Sequence, residues 1–133
     1  MNERPNTIYE AIGYEKIEEL VEAFYKRVGK HPKLTPIFPD DLTETARKQK
    51  LFLTQFFGGP PLFTQERGHP RMRMRHSPFE ITPSRRDAWL ECMTAAIDET
   101  KIEEPYRTVM LERLTLTATH MMNTPENEKG ESM

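Results

Sequence analysis

The chain has 133 residues, room for one compact domain, and sets 19 Lys+Arg against 21 Asp+Glu for a net charge of −2. That balance argues against nucleic-acid binding by bulk charge. No apolar run approaches the roughly 20 residues of a membrane span, the opening MNERPNTIYE holds no apolar stretch of a secretory leader, and the lone Cys92 excludes an internal disulfide or a cysteine-based zinc site; the expected setting is the cytoplasm.

Eleven prolines against six glycines punctuate the chain. Proline breaks helix interiors but suits first turns, so the proline-free stretches 6–31, 40–59, 84–104 and 106–124 each predict a helix. In the first, Ile17, Leu20, Val21, Phe24, Tyr25 and Val28 recur at helical spacing as one apolar stripe. The corner 32–40 (PKLTPIFPD) follows. The second stretch opens on Asp41-Leu42-Thr43-Glu44, a capping-box pattern, carries Phe52, Leu53, Phe56 and Phe57 on its apolar face, and stops at Gly58-Gly59-Pro60-Pro61. A long connection, 60–83, offers one short helix near 71–77; a connection of that length inside a small domain usually has a function. The third helix begins with Thr82 as N-cap and Pro83 in the first turn and buries Trp89, Cys92, Met93, Ala96 and Ile97. The fourth starts at Pro105, with Tyr106, Met110, Leu114, Thr117 and Met121 inward. No period-two pattern occurs, so the expectation is an all-α domain over 1–124 and a polar, disordered tail over 125–133.

Two places break the apolar pattern. The inner face of the second helix, followed back from Phe56 and Phe52, reaches Gln49 and Thr45. Tyr25 and Trp89 add a hydroxyl and an indole N–H. A buried polar group without a partner costs about 1–3 kcal/mol, so these four either satisfy the backbone and one another or surround a polar ligand in an apolar hole. The second break is 67–76, with four Arg and two His. It can be a solvated loop, an anion patch, or a segment that turns His76 inward as a metal ligand with arginines at the solvent edge. Cys92, three residues from Trp89, is expected to be buried and unreactive.

The ordered series Phe24-Tyr25, Ile37-Phe38-Pro39, Asp40-Asp41-Leu42, Gln55-Phe56-Phe57-Gly58-Gly59-Pro60, Gly68-His69-Pro70-Arg71-Met72-Arg73-Met74-Arg75-His76, Pro78-Phe79 and Arg86-Asp87-Ala88-Trp89-Leu90 resembles the group II truncated haemoglobins over residues 7–123. The resemblance implies a globin-like two-over-two helical sandwich around haem b (iron protoporphyrin IX). His76 would then be the proximal iron ligand, with Tyr25, Thr45, Gln49 and Trp89 on the distal side. Phe24, Phe38, Phe52, Leu53, Phe79 and Met93 would wall the haem, and Arg75, Arg73 and His69 would meet its propionates. Phe38 stands where some relatives carry Tyr, and Thr45 cannot supply a sixth ligand as a His there could. The implied function is binding of dioxygen and other small diatomic ligands at a five-coordinate ferrous iron; donors at Tyr25, Gln49 and Trp89 predict high affinity and slow release, and the lack of a long exposed apolar stripe predicts a monomer. The alternative is a haem enzyme, a nitric-oxide dioxygenase or a peroxidase-like catalyst. No flavin or nicotinamide motif is present, so such an enzyme would rely on a separate reductase.

Overall fold

A computed structural model describes residues 6–69, 71–76 and 79–126, apart from the side chains of Met72 and Arg73. The chain forms α1 (Ile8–Ile12), α2 (Tyr14–Val28), a 3-10 turn (Thr35–Ile37), α3 (Thr43–Phe56), α4 (Leu62–Arg67), α5 (Met72–His76), α6 (Pro83–Glu99) and α7 (Tyr106–Met121). There is no strand among the described residues, and no helix among them is long and apolar enough to cross a membrane.

The layering follows from the apolar stripes. Helix α2 packs against both α3 and α6, and α6 packs against α7, giving the two-over-two sandwich. Ile17, Leu20, Val21, Phe24 and Val28 of α2 are fully buried against Met93, Ala96 and Ile97 of α6, and Met110 of α7 joins the same core. Burial of each such side chain contributes about 1.5–3 kcal/mol.

Several boundaries depart from the expected ones for local reasons. The first stretch is two helices rather than one. Thr7 caps α1 by accepting from the Glu10 N–H at 3.0 Å, and Gly13 ends it at φ +85°, a conformation that favours glycine. Gly59 has a different task. A Cβ there would lie 2.7 Å from the Tyr9 ring, so glycine lets α1 dock on the end of α3, where the Tyr9 N–H donates to the Phe57 carbonyl at 2.8 Å. Only half of the expected capping box forms. The helix begins at Thr43, whose N–H donates to Asp41 at 3.0 Å, while Glu44 turns outward to Arg47. The connection 60–83 contains α5 as expected and also α4, a two-turn helix too short and too polar to declare a periodicity.

Helix α6 starts as its sequence dictates. The Thr82 hydroxyl accepts from the Arg85 N–H at 3.2 Å, with Pro83 in the first turn. Thr82→Ala is therefore expected to cost about 1 kcal/mol, lowering the Tm by about 3–6 °C in a melting experiment. At the other end, ordered contacts continue to Glu126, which accepts from the Ser84 N–H at 2.9 Å; residues 127–133 of the expected tail lie outside the described residues.

Candidate functional site

One large cavity, about 460 Å³, opens between the two layers, within the range usual for small-molecule sites. Helix α3 presents Thr45, Gln49 and Phe52 to it, at spacings of four and three, which is one helical face. Tyr25 enters from α2, Trp89 from α6, Phe38 from the corner, and His76 and Phe79 from α5 and the loop after it. The four polar residues that interrupted the apolar pattern thus meet in one place with His76, the single histidine among the lining residues.

The polar groups are held in aromatic packing. Tyr25 is 8% exposed, its ring edge-on to Phe24 at 4.8 Å and to Phe38 at 6.0 Å. Trp89 meets Phe24 edge-on at 5.1 Å. Burial pushes the Tyr25 hydroxyl well above its ordinary range, so it remains an O–H donor. Among the described residues, no hydrogen bond is made by the Tyr25 hydroxyl, the Gln49 amide or the Trp89 indole N–H. They do not satisfy one another; they offer three donors to whatever occupies the cavity.

The expected walls divide. Phe38, Phe52 and Phe79 line the cavity, whereas Phe24, Leu53 and Met93 do not: they are fully buried in the core. Phe24 and Leu53 are sequence neighbours of lining residues, and one step along a helix turns a side chain by about 100° away from the cavity. Met93 lies one turn beyond Trp89, facing α2 and the core. Phe24 acts instead as the layer behind Tyr25 and Trp89. The apolar lining is completed by residues that periodicity assigned to core or corner, or did not assign, among them Leu34, Ile37, Phe63, Ile81, Leu114 and Met121.

The cations also differ from expectation. Arg75 lines the cavity, with its guanidinium 5.3 Å from the centre of the Phe63 ring and donating to the Arg67 carbonyl at 3.1 Å. His69 does not line it; it is exposed and its Nδ1 accepts from the Arg71 N–H at 3.2 Å. The side chain of Arg73 lies outside the described residues. Lys48, Arg67, Arg85 and Arg86 line the cavity as well, and no Asp or Glu among the described residues does. Helical spacing carries a signal for three of these: Lys48 adjoins Gln49, and Arg85 and Arg86 precede Trp89 by four and three residues. Arg85 is anchored on the carbonyls of Lys33 (3.2 Å) and Glu80 (2.8 Å), and Arg86 on Asp87 (2.8 Å) and Thr119 (3.1 Å). Cys92 is buried away from the lining, and burial pushes its thiol up, as expected of an unreactive cysteine.

The residues present fit a flat, largely apolar macrocycle that carries a metal and acidic groups: aromatic walls, one imidazole, three donors without a partner among the described residues, and several cations. Comparison with known proteins points the same way. Residues 7–123 match the model of the family described as bacterial-like globin. The chain is 56% identical over 132 residues to the group 2 truncated hemoglobin YjbI of Bacillus subtilis, covering 99% of this chain and 100% of that one. It is 61% identical to a group II truncated hemoglobin from Bacillus anthracis of known crystal structure, with a TM-score of 0.90 over 92% of this chain and 100% of that one. A truncated oxygen-avid haemoglobin from Bacillus subtilis is 59% identical with a TM-score of 0.87, covering 89% of this chain and 100% of that one.

Proposed function

Because the chain belongs to the group II truncated haemoglobins, a family of haem-based dioxygen binders, we propose that His76 holds haem b in its cavity and that Tyr25, Gln49 and Trp89 hold the dioxygen. The observation that carries this reading is the set of three donors, none paired within the described residues, on residues that line one cavity together with one imidazole. When bound, haem supplies a ferrous iron with an open position that shares electron density with dioxygen.

The chain's own residues do the rest. Phe38, Phe52 and Phe79 offer apolar faces to the ring. Arg75 meets a propionate, joined by cations among Lys48, Arg67, Arg85 and Arg86; guanidinium suits a carboxylate through paired N–H groups. Thr45 carries no group able to ligate iron as an imidazole does, which leaves the distal position to the ligand. The three donors favour a ligand that gains negative charge and do little for carbon monoxide. Hydrogen bonds to charged groups are worth about 1.5–3 kcal/mol each, or about 10- to 100-fold in affinity per donor. High affinity and slow release follow. Val109 and Leu116, the two exposed apolar residues of α7, share a face but are separated on it by the exposed Glu112 and Arg113, which supports a monomer, and the electron that restores the ferrous state comes from a separate reductase.

Absorption spectroscopy of the purified protein tests the reading. With haem supplied, the protein is expected to be red, with a Soret band that moves on reduction and again with carbon monoxide. A folded protein that stays colourless in the presence of haem overturns it.

A further inference from the structure

His76, the last residue of α5, and Phe79 and Ile81 in the connection to α6 all line the cavity, and the Phe79 N–H donates to the His76 carbonyl at 2.9 Å. Further backbone groups of these residues find a partner in Asn123, just past the end of α7. The Asn123 Oδ1 accepts from the Ile81 N–H at 2.9 Å. Its Nδ2 donates to the Phe79 carbonyl at 2.9 Å and, at a longer 3.4 Å, to the His76 carbonyl. The Thr124 hydroxyl also donates to Oδ1, at 2.8 Å; with two donors on the oxygen, the nitrogen must face the carbonyls, so the amide has one consistent orientation. The backbone N–H groups of Asn123 and Thr124 both donate to the Ile81 carbonyl, at 3.1 and 3.3 Å.

Asn123 itself does not line the cavity. All three residues whose backbones its side chain holds do so. The next anchor along the same segment is different: Glu126 accepts from the Ser84 N–H and hydroxyl at 2.9 and 3.0 Å, and Ser84 does not line the cavity. The segment 123–126 therefore carries two separable attachments, one to the cavity loop and one to the start of α6.

We infer that Asn123 is a positioning residue for His76: by bonding the backbone of His76 at the end of α5 and of Phe79 and Ile81 just beyond it, it fixes the orientation of the imidazole and how firmly haem is held. This rests on His76 being the haem ligand. Loss of the Asn123 side chain leaves the two backbone bonds to the Ile81 carbonyl but releases the Phe79 and His76 carbonyls and the Ile81 N–H, and lets the imidazole sample orientations that hold haem less well. Glu126 lacks that link, so its removal loosens the start of α6 without touching the imidazole.

The experiment uses the haem-loaded protein and three readouts: the rate of haem transfer to excess apomyoglobin, the iron–histidine stretching band of the ferrous, unliganded protein by resonance Raman, and the Tm. Asn123→Ala is expected to speed haem loss by about 5- to 30-fold, the change that the loss of one or two net hydrogen bonds produces, and to shift or broaden the band. Asn123→Asp keeps the acceptor and loses both donors, so it moves both readouts in the same direction, and it carries the test if the alanine variant does not fold. Glu126→Ala is expected to lower the Tm and leave the band in place. The inference is overturned if Asn123→Ala or Asn123→Asp loses haem at the wild-type rate with an unmoved band, or if Glu126→Ala reproduces both changes. His76→Gly in the same transfer assay tests the underlying reading separately: retention of haem by that variant defeats the ligand assignment itself.

Discussion

His76→Gly is expected to lose haem at least about 100-fold faster than the wild-type chain, a difference of about 2.7 kcal/mol or more, and to recover a histidine-type ferrous spectrum when millimolar imidazole is added. The reasoning starts from the lining. His76 is the one histidine there, and His69, the nearest alternative in sequence, is exposed and outside it. The aromatic walls are untouched by the substitution, so haem still partitions into an apolar cavity; what disappears is the directional bond from nitrogen. Glycine leaves a space of about the size of the ring that was removed, and free imidazole can fill it. A merely structural histidine would give destabilisation without rescue. His69→Ala is the matched control and should retain haem as the wild type does. Wild-type retention by His76→Gly, or loss of haem in both variants alike, would sink the assignment.

The legible and illegible parts of this chain separate by range. Features that depend on neighbours within one helix could be read directly. Thr82-Pro83 starts α6 because a hydroxyl cap and a proline first turn are local chemistry, and the face formed by Thr45, Gln49 and Phe52 needs only the 3.6-residue period. Periodicity separates inside from outside, however, and the cavity is also inside. Phe24 and Tyr25 are both buried, yet only Tyr25 reaches the cavity, and no pattern on α2 alone distinguishes them. The loop from His76 to Ile81 was unreadable for a second reason. The side chain that holds its backbone lies more than 40 residues away, at Asn123, at the end of the stretch 106–124 that the sequence reads as one helix. Helix α4 was missed because six residues cannot show a period. The cavity cations fall between these cases: Arg85 and Arg86 share the turn before Trp89, but the pattern cannot tell which polar neighbours of an inward residue curl over the cavity edge and which extend into water.

Tyr25→Phe is expected to raise the dioxygen dissociation rate about 10- to 100-fold and to change carbon monoxide dissociation by less than about threefold. Both residues are aromatic, so the edge-on packing against Phe24 and Phe38 survives and only the O–H is lost. Trp89→Phe removes the indole N–H while keeping an aromatic ring against Phe24, and a rise in the same range is expected. The double variant tests how the donors share the ligand. Independent donors give rate increases that multiply; donors competing for one acceptor give a smaller product, which a double-mutant cycle reads as coupling. Stopped-flow measurements over a pH range add a second check. Burial holds the Tyr25 hydroxyl well above the ordinary value of 10.0, so the proton it donates stays in place and the wild-type rate should be flat between about pH 6 and 9. The sign for stability runs the same way: above about pH 10 the unfolded chain releases this proton while the folded chain keeps it, so stability falls as pH rises through that value, and Tyr25→Phe should flatten part of the fall. Dissociation rates unchanged in both single variants would leave Tyr25 and Trp89 without a role in ligand retention.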